Sequence, residues 1–200
     1  MLEKEKLPNG ADVLWQIDDK FHDFIMRYRF VFPLREKDRT YANVLLRMMV
    51  NRVEGFESKK AFRKRLNMLY GTQVRASTYA MGRYQVLEVQ LRGIADRYVK
   101  EDLFLKQVEV LEDVIYRPVL DQASLEEAKR NIRLEHERMQ DQTREKAMHE
   151  ALEIAGKGQF LGLSTQGDPN ILDEITLSCM KEFHHYLIHE TYQRLIVTGN

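Results

Sequence analysis

The sequence predicts an α+β domain, in which helices pack on one face of a mostly antiparallel sheet. Its segments come in blocks, in the order strands, helices, strands, several helices and a final strand, whereas strict alternation would favour a parallel sheet. The strand-like segments show the period of two that marks a sheet with one buried face. Because 200 residues with 44% hydrophobic content can bury a sizeable core, we expect residues 1–200 to form one domain.

Two strands are predicted near the N-terminus. The segment "ADVLWQI" alternates weakly between apolar and polar residues, and turn-forming residues lie on both sides of it. The segment "FHDFIMRYRFVF" alternates strongly and is followed by Pro33, which indicates a half-buried strand that ends there. Its predicted buried face consists of Phe24, Met26, Tyr28, Phe30 and Phe32.

Two helices and a hairpin are predicted next. Thr40 is a suitable N-cap for the helix "YANVLLRMMVNRV", because a threonine hydroxyl can accept a hydrogen bond from a backbone N–H of the first turn. Ser58 can cap the second helix in the same way, and Gly71 can supply the left-handed residue that ends it. The hairpin is expected to have strands at 72–79 and 83–93, with its turn near "MG".

The second half of the chain is predicted to be mainly helical. The last segment, "RLIVTGN", predicts a strand followed directly by the end of the sequence. We therefore expect either that the chain is the N-terminal domain of a longer two-domain protein, or that this strand lies at a sheet edge. Four helices are predicted here. One covers about Tyr98 to Tyr116, a second begins at a capping box of Ser124 and Glu127, a third covers about Thr143 to Ala155, and a fourth follows a cap at Asp168.

Charge and composition exclude several classes of protein. Lysine plus arginine equals aspartate plus glutamate, at 31 each, whereas a nucleic-acid-binding domain normally has a basic excess. No apolar run approaches the roughly 18 residues of a membrane helix, and "MLEKEKLPNG" does not resemble a secretory signal. The single cysteine, Cys179, rules out an internal disulfide. We therefore expect a cytoplasmic protein with no membrane span and no nucleic-acid partner.

The segment "FHHYLIHE" is the most suggestive metal-binding pattern in the chain. His185 and His189 lie four residues apart, so on a helix they share one face, and zinc hydrolases present two imidazoles in this way. Glu190 could be a further ligand or a base. The alternative is an amphipathic helix whose histidines meet solvent, since nothing nearby in the sequence supplies a third ligand. An active metal-dependent hydrolase using His185 and His189 therefore remains an alternative function.

Three other candidate sites have simpler interpretations. Glu135, His136 and Glu137 are consecutive, so on a helix they point in different directions and form a solvated face with local ion pairs. Cys179 could be a nucleophile, although a lone helical cysteine is usually a small core residue. The glycines of "GKGQFLG" follow a helix rather than a strand, which indicates a connection and not a phosphate-binding loop.

Four longer segments of the chain carry a resemblance to one protein family. The strand before the family's metal helix is similar to "KFHDFIMRYRFVFPL". That helix, the next helix and an L-x-G turn are similar to "YANVLLRMMVNRVEGFESKKAFRKRLNMLYGTQVRASTY". A proline-containing helix junction is similar to "LEDVIYRPVLDQASLEEAKRNIRLE", and the closing segment to "STQGDPNILDEITLSCMKEFHHYLIHETYQRLIVTGN". Taken in this order, the segments resemble one half of the insulinase/pitrilysin-like metallopeptidases over almost the whole chain. More narrowly, the chain resembles bacterial members that lack the metal motif and pair with an active relative.

The resemblance implies that the catalytic residues are absent. Active members carry His-x-x-Glu-His on the first helix, where two histidines bind zinc and the glutamate activates water. The matching positions here hold Asn43, Leu46 and Arg47, so we expect neither zinc nor another cofactor. The position of the third ligand falls near "SLEEAK", where Glu127 is the nearest candidate and Glu126 the next. If Glu127 faces Arg47, a salt bridge replaces the ion.

The resemblance also implies the role of the chain. It would be the N-terminal half of a catalytically inactive homologue, forming part of a peptide-binding chamber with an active zinc-peptidase partner as a heterodimer, as in the mitochondrial processing peptidase. Its ligand would be a peptide or an unfolded protein. In active relatives the peptide adds as a strand to a sheet edge, which here would be Gln73, Val74, Arg75, Ala76, Ser77 and Thr78. The alternatives are that these residues only form sheet, or that the chain is a purely structural interaction module.

Overall fold

A single six-stranded sheet organises the described part of the chain. The structure is a computed structural model that describes residues 3–18, 20–99, 101–157 and 168–199. The strands are β1 (Glu3–Lys6), β2 (Asp12–Ile17), β3 (Asp23–Pro33), β4 (Gln73–Met81), β5 (Tyr84–Ile94) and β6 (Tyr192–Gly199). They lie in the order β1-β2-β6-β3-β5-β4, and all neighbours are antiparallel except β2 and β6.

The helices cover one face of this sheet. Helices α1, α3 and α6 contact its strands, while α4 packs against α1 and α5 against α4. The predicted α+β architecture with a mostly antiparallel sheet is therefore confirmed. The helices are α1 (Glu36–Met49), α2 (Lys59–Met68), α3 (Phe104–Tyr116), α4 (Gln122–Asp141), α5 (Thr143–Ala155) and α6 (Leu177–Glu190), with 3₁₀ turns at Asp96–Tyr98 and Pro169–Glu174.

The hydrophobic core lies between the sheet and these helices. On β3 the predicted alternation is confirmed, since every second side chain is almost fully buried and the intervening ones are partly exposed. Removing apolar side chains from water is the main favourable contribution to folding, so this strand fixes which sheet face the helices cover. The buried side chains of β3 are Phe24, Met26, Tyr28, Phe30 and Phe32, and they meet Leu45 and Met49 of α1 and Leu187 of α6 in one cluster.

The turns around α2 and the hairpin agree with the sequence pattern. Ser58 caps α2, because its Oγ accepts a hydrogen bond from the Ala61 N–H at 3.1 Å. After α2 the chain passes through left-handed conformations at Tyr70 (φ +56°) and Gly71 (φ +74°), and the second of these is the predicted stop. Gly82 (φ +60°) opens the turn between β4 and β5, where a residue without a Cβ is not strained.

The predicted start of α1 is wrong. The helix begins at Glu36, one turn before Thr40, and Arg35 at its N-cap makes no side-chain capping bond. The acidic residues Glu36 and Asp38 lie in the first turn instead, where negative charge interacts favourably with the helix dipole. Thr40 is fully buried inside the helix, and its Oγ1 accepts a hydrogen bond from the Asp168 N–H at 2.9 Å.

The caps of α3 and α4 also differ from the prediction. Tyr98 belongs to a 3₁₀ turn, and α3 begins only at Phe104, whose N–H donates to Asp96 Oδ1 at 3.0 Å. Helix α4 is capped by Asp121: its Oδ1 accepts from the Ser124 N–H at 2.7 Å, and Ser124 Oγ accepts from the Asp121 N–H at 3.2 Å. The capping box is therefore shifted by three residues, and Glu127 is free for a different contact.

The two terminal strands of the sequence occupy unexpected places in the sheet. Strand β6 is not at an edge, because Val197 lies opposite Trp15 of β2 on one side and Met26 of β3 on the other. Strand β1 was not predicted, since "EKEK" is fully exposed and carries no apolar face. It is held by backbone pairing with β2.

Within the part of the chain that the structure describes, no helix is both long and apolar enough to cross a membrane.

Candidate functional site

Asn43, Leu46 and Arg47 lie together on α1, where the resemblance placed the degenerate metal motif. Asn43 is buried, and its Nδ2 donates to the Arg39 carbonyl oxygen one turn earlier at 3.0 Å. Arg47 Nη1 donates to both the Asn43 carbonyl oxygen at 2.8 Å and Asn43 Oδ1 at 3.2 Å. Leu46 is buried in the hydrophobic core. The Asn43 and Arg47 side chains thus bind each other and the helix backbone, whereas Leu46 packs in the core.

Arg47 forms an ion pair with α4, but its partner differs from the predicted one. Its guanidinium contacts the carboxylate of Glu135, while Glu127 pairs with Lys59 of α2. Glu127 and Glu135 are eight residues apart, which is about 12 Å along a helix. Because α1 packs against α4 with Arg47 opposite the later turn, the expected Arg47–Glu127 salt bridge is wrong. The carboxylate that faces α1 here is Glu135.

In this cluster, the guanidinium of Arg47 acts as a hydrogen-bond donor. Arg47 carries a permanent positive charge, and its side chain is only 19% exposed, whereas that of Glu135 is 59% exposed. Leu46 offers no group that could accept a proton. Among the described residues, no three His, Cys, Asp or Glu side chains are grouped so that they could hold a metal ion.

The predicted peptide-binding residues lie at an edge of the sheet. Gln73 to Thr78 belong to β4, the last strand in the sheet order, which pairs with β5 on its inner side. Val74 and Ala76 pack against the core, whereas Gln73, Arg75 and Ser77 are exposed. Helix α1 contacts β4. Helix α1 and the exposed edge are therefore neighbours.

The histidine-rich segment separates into an outward pair and one inward residue. His185 and His189 are exposed, and their ring centroids are 4.2 Å apart. They therefore share a face as predicted. His184 points inward, and its Nε2 lies 2.7 Å from the Ile115 carbonyl oxygen; because a carbonyl can only accept, Nε2 carries the hydrogen. Burial lowers the pKa of His184, although the bond to this carbonyl partly opposes the shift. Glu190 is exposed at the end of α6.

Cys179 lies at the N-terminus of α6 and contacts its capping residue. The Thr176 hydroxyl lies 3.2 Å from Cys179 Sγ and accepts a hydrogen bond from the Cys179 N–H. The hydrogen bond from Thr176 lowers the pKa of the Cys179 thiol. The nearby His184 is hydrogen-bonded to Ile115 and does not pair with the thiol. Residues 158–167, which include most of "GKGQFLG", lie outside the described residues.

Sequence reasoning identified the segment that contains Glu135 but missed its role. The three residues "EHE" were expected to form a solvated face with local ion pairs, and Glu135 instead joins α4 to α1 through Arg47. A partial signal was present: Glu135 lies about two helical turns beyond Glu127 and about 80° further round α4, so the two carboxylates point towards different neighbours. Lys59, which binds Glu127, carried no comparable signal.

Comparison with solved structures identifies the fold. No protein-family model matches the sequence, and no curated protein matches it. A conserved protein from Enterococcus faecalis V583 superposes with a TM-score of 0.88 at 15% identity, over 98% of this chain and 48% of that one. An inactive domain of peptidase M16 from Pseudomonas fluorescens gives 0.77 at 18% identity, over 100% and 46%. Pitrilysin gives 0.73 at 16% identity, over 100% and 21%.

These similarities agree with the resemblance found in the sequence. The chain spans about half the length of the first two structures and about a fifth of pitrilysin. The helix positions, the sheet and the edge strand β4 are all contained in the superposed region, because the superposition covers nearly the entire chain. The chain has the fold of one half-domain of the M16, pitrilysin-like peptidases.

Proposed function

We propose that this chain is the N-terminal half of a catalytically inactive zinc-peptidase homologue. It forms part of a peptide-binding chamber and supports an active peptidase partner in peptide or protein processing. The observation that supports this proposal is the arrangement of Asn43, Arg47 and Glu135, because the sequence resemblance matches the first two of these positions to zinc ligands. Neither an amide nor a guanidinium is a suitable ligand for zinc, so the proposal includes the absence of a zinc cofactor.

The chamber and the partner are supported by the fold and by the length of the chain. One of the similar structures is described as an inactive peptidase M16 domain, and each of the three is at least about twice as long as this chain. A half-domain of this fold needs a second half to enclose a chamber. We propose that a second domain and an active homologue supply it. The lone Cys179 is consistent with the cytoplasmic location that we also propose.

The proposed peptide site is the outer edge of β4. An edge strand presents unpaired backbone N–H and C=O groups, and an extended peptide can pair with them as an additional strand. Residues Gln73 to Thr78 provide this edge next to α1. Backbone pairing gives affinity, whereas the side chains that flank the edge give specificity.

A cleavage assay tests the proposal. The full-length protein is incubated with a mixture of unstructured peptides, alone and together with an active homologue that carries an intact His-x-x-Glu-His motif. We expect no cleavage by the protein alone, and faster cleavage or an altered product pattern in the mixture. Zinc-dependent cleavage by the protein alone would overturn the assignment.

The second candidate function is a metal-dependent hydrolase that uses His185 and His189. The 4.2 Å separation of the two exposed rings favours it, because both imidazoles can reach one ion. Metal analysis of the purified protein distinguishes the two functions. Stoichiometric zinc that is lost in a His185→Ala/His189→Ala variant would support the hydrolase. His184→Gln is the matched control, since His184 points inward.

A further inference from the structure

Among the described residues, the helices that contact the sheet lie on one of its faces and leave the other, the open face, uncovered. Residues that lie directly opposite one another on neighbouring strands point to the same side of a sheet. Arg27 of β3 lies opposite Gln90 of β5, which in turn lies opposite Arg75 of β4. The neighbours of Arg27 along β3, Met26 and Tyr28, point into the helical core. Arg27 and Arg75 therefore share the open face.

This open face is positively charged, although the whole chain has zero net charge. By strand register, seven cationic and three carboxylate side chains of the described strands lie on it, an excess of four positive charges. The carboxylates are Asp12, Asp23 and Glu88. The cationic residues are Lys4, Lys6, Arg27, Arg29, Arg75, Arg92 and Arg194.

The three carboxylates are already used by neighbouring cations. Glu88 pairs with Arg29 at 2.6 Å, and Asp23 contacts Arg92. Asp12 lies 3.6 Å from Lys4 and 4.0 Å from Arg194. Arg27 and Arg75 belong to the row that passes through Gln90. Within the described part of the chain, these two arginines are left without a carboxylate partner.

Among the described residues, Arg27 and Arg75 make only weak contacts, and these are with neutral groups. Arg27 Nη1 lies 3.4 Å from Thr198 Oγ1, and Arg75 Nη2 lies 3.4 Å from Gln73 Oε1. Both distances are long for a hydrogen bond to a charged donor. Each guanidinium thus retains capacity for a charge-assisted, bidentate contact with a carboxylate.

The position of Arg75 relates this charge to the peptide edge. A strand added to β4 would lie about 5 Å from it and would place every second side chain over the open face. Its residue opposite Arg75 would be a direct cross-strand neighbour. Arg27 lies two strands further inward than Arg75, about 10 Å away, so it would act on that residue through its field rather than by contact.

We propose that the peptide bound at β4 is acidic, with Asp or Glu at alternate positions facing Arg75. This inference rests on the proposed function, because it names the class of peptide that the proposed edge selects. Arg75 contacts a peptide carboxylate directly. Arg27 raises the positive potential behind it, so that basic peptides are rejected by like-charge repulsion.

Three labelled peptides of equal length test the inference by fluorescence polarisation. They carry Glu, Gln or Lys at alternate positions, with Thr and Val between, and their dissociation constants are measured with the full-length protein at low and physiological salt. We expect the Glu peptide to bind about 5- to 10-fold more tightly than the Gln peptide at low salt. Added salt should reduce this preference, because exposed charges are screened, and the Lys peptide should bind most weakly.

Charge-removing variants locate the effect on the sheet. Arg75→Gln should remove most of the preference for Glu, and Arg27→Gln should remove a smaller part. Arg63→Gln, which removes the same charge from the exposed surface of α2, is the matched control and should leave the preference unchanged. Circular dichroism confirms that each variant is folded.

The outcomes separate this inference from the function on which it rests. Equal binding of all three peptides, or a preference for Glu that survives in Arg75→Gln, would overturn the proposed selectivity for acidic peptides. Either result would leave the proposal that peptides bind at the edge of β4 unaffected. Tighter binding of the Lys peptide would overturn it too. Absence of binding by every peptide would overturn both the edge and its selectivity.

Discussion

Arg47 of α1 and Glu135 of α4 form an ion pair that joins the two helices. The carboxylate comes from a position two helical turns beyond Glu127, which instead binds Lys59. A carboxylate of α4 therefore faces α1. The positive charge between the two helices is that of the Arg47 guanidinium.

A double-mutant cycle distinguishes the two possible partners of Arg47. We expect Arg47→Gln and Glu135→Gln to interact with a coupling energy of about 0.2–1 kcal/mol in chemical denaturation, because the pair is partly exposed. The matched cycle with Glu127→Gln should give a coupling energy near zero, since Glu127 contacts Lys59. The reverse pattern would assign the partner to Glu127.

Placing two histidines at positions 43 and 47 should create a zinc site that uses the Glu135 carboxylate. In Asn43→His/Arg47→His, two imidazoles lie one turn apart on α1 and Glu135 faces them from α4, which together form a three-ligand set. We expect zinc binding by calorimetry in this variant. Adding Glu135→Gln should weaken binding much more than adding Glu127→Gln. Equal affinity in these two triple variants would contradict the role of Glu135.

His184 should make the protein less stable as the pH falls from about 7 to 5. Burial lowers its pKa in the folded state, so below the ordinary histidine value of about 6.5 the unfolded chain binds a proton that the folded chain does not. Stability is therefore fully present above that value and is lost as the pH falls towards the folded pKa. The slope can reach about 1.4 kcal/mol per pH unit.

Urea unfolding at several pH values measures this loss. In His184→Gln the amide can still donate to the Ile115 carbonyl oxygen, so we expect the slope between pH 7 and 5 to flatten. His189→Gln, an exposed histidine on the same helix, should retain it. An unchanged slope in His184→Gln would show that another group titrates in this range.

Asp121 should stabilise α4 through its cap rather than through its charge. Its Oδ1 accepts from the Ser124 N–H, and its Oδ2 lies 3.5 Å from Arg52 Nη1. Asp121→Ala should reduce the free energy of unfolding by about 1 kcal/mol. Asp121→Asn keeps a capping oxygen and removes the charge, so it should cost much less. Equal losses in both variants would instead assign the effect to the ion pair with Arg52.

The sequence predicted the sheet more reliably than the helix starts. The alternation on β3 and the hairpin turn at Gly82 depend on local periodicity and turn chemistry, which are readable along the chain. The start of α1 depends on tertiary contact, because Thr40 is buried against Asp168 and cannot serve as a cap. At α4 two overlapping capping patterns were available, and the one that begins at Asp121 prevailed.

The candidate site was predictable only in part, because spacing along one helix can be read from the sequence and the packing of one helix on another cannot. The positions Asn43, Leu46 and Arg47 follow from motif spacing on one helix. The partner of Arg47 depends on the position of α4 along α1, and a helix with several glutamates offers more than one possible partner. The charged face behind β4 could not be predicted, since it depends on the strand register that brings Arg27 and Arg75 into one row.

The insertion of β6 between β2 and β3 has a consequence for how the protein folds. Residues 12–17 reach the rest of the sheet only through a strand that lies about 180 positions later in the chain, as in the pairing of Asp12 with Arg194. Such non-local pairing raises the contact order and slows folding. During synthesis, β1 and β2 must wait for β6 before they can join the sheet. Among the strands of this sheet, β1 and β2 are therefore the ones that remain longest in need of protection from aggregation.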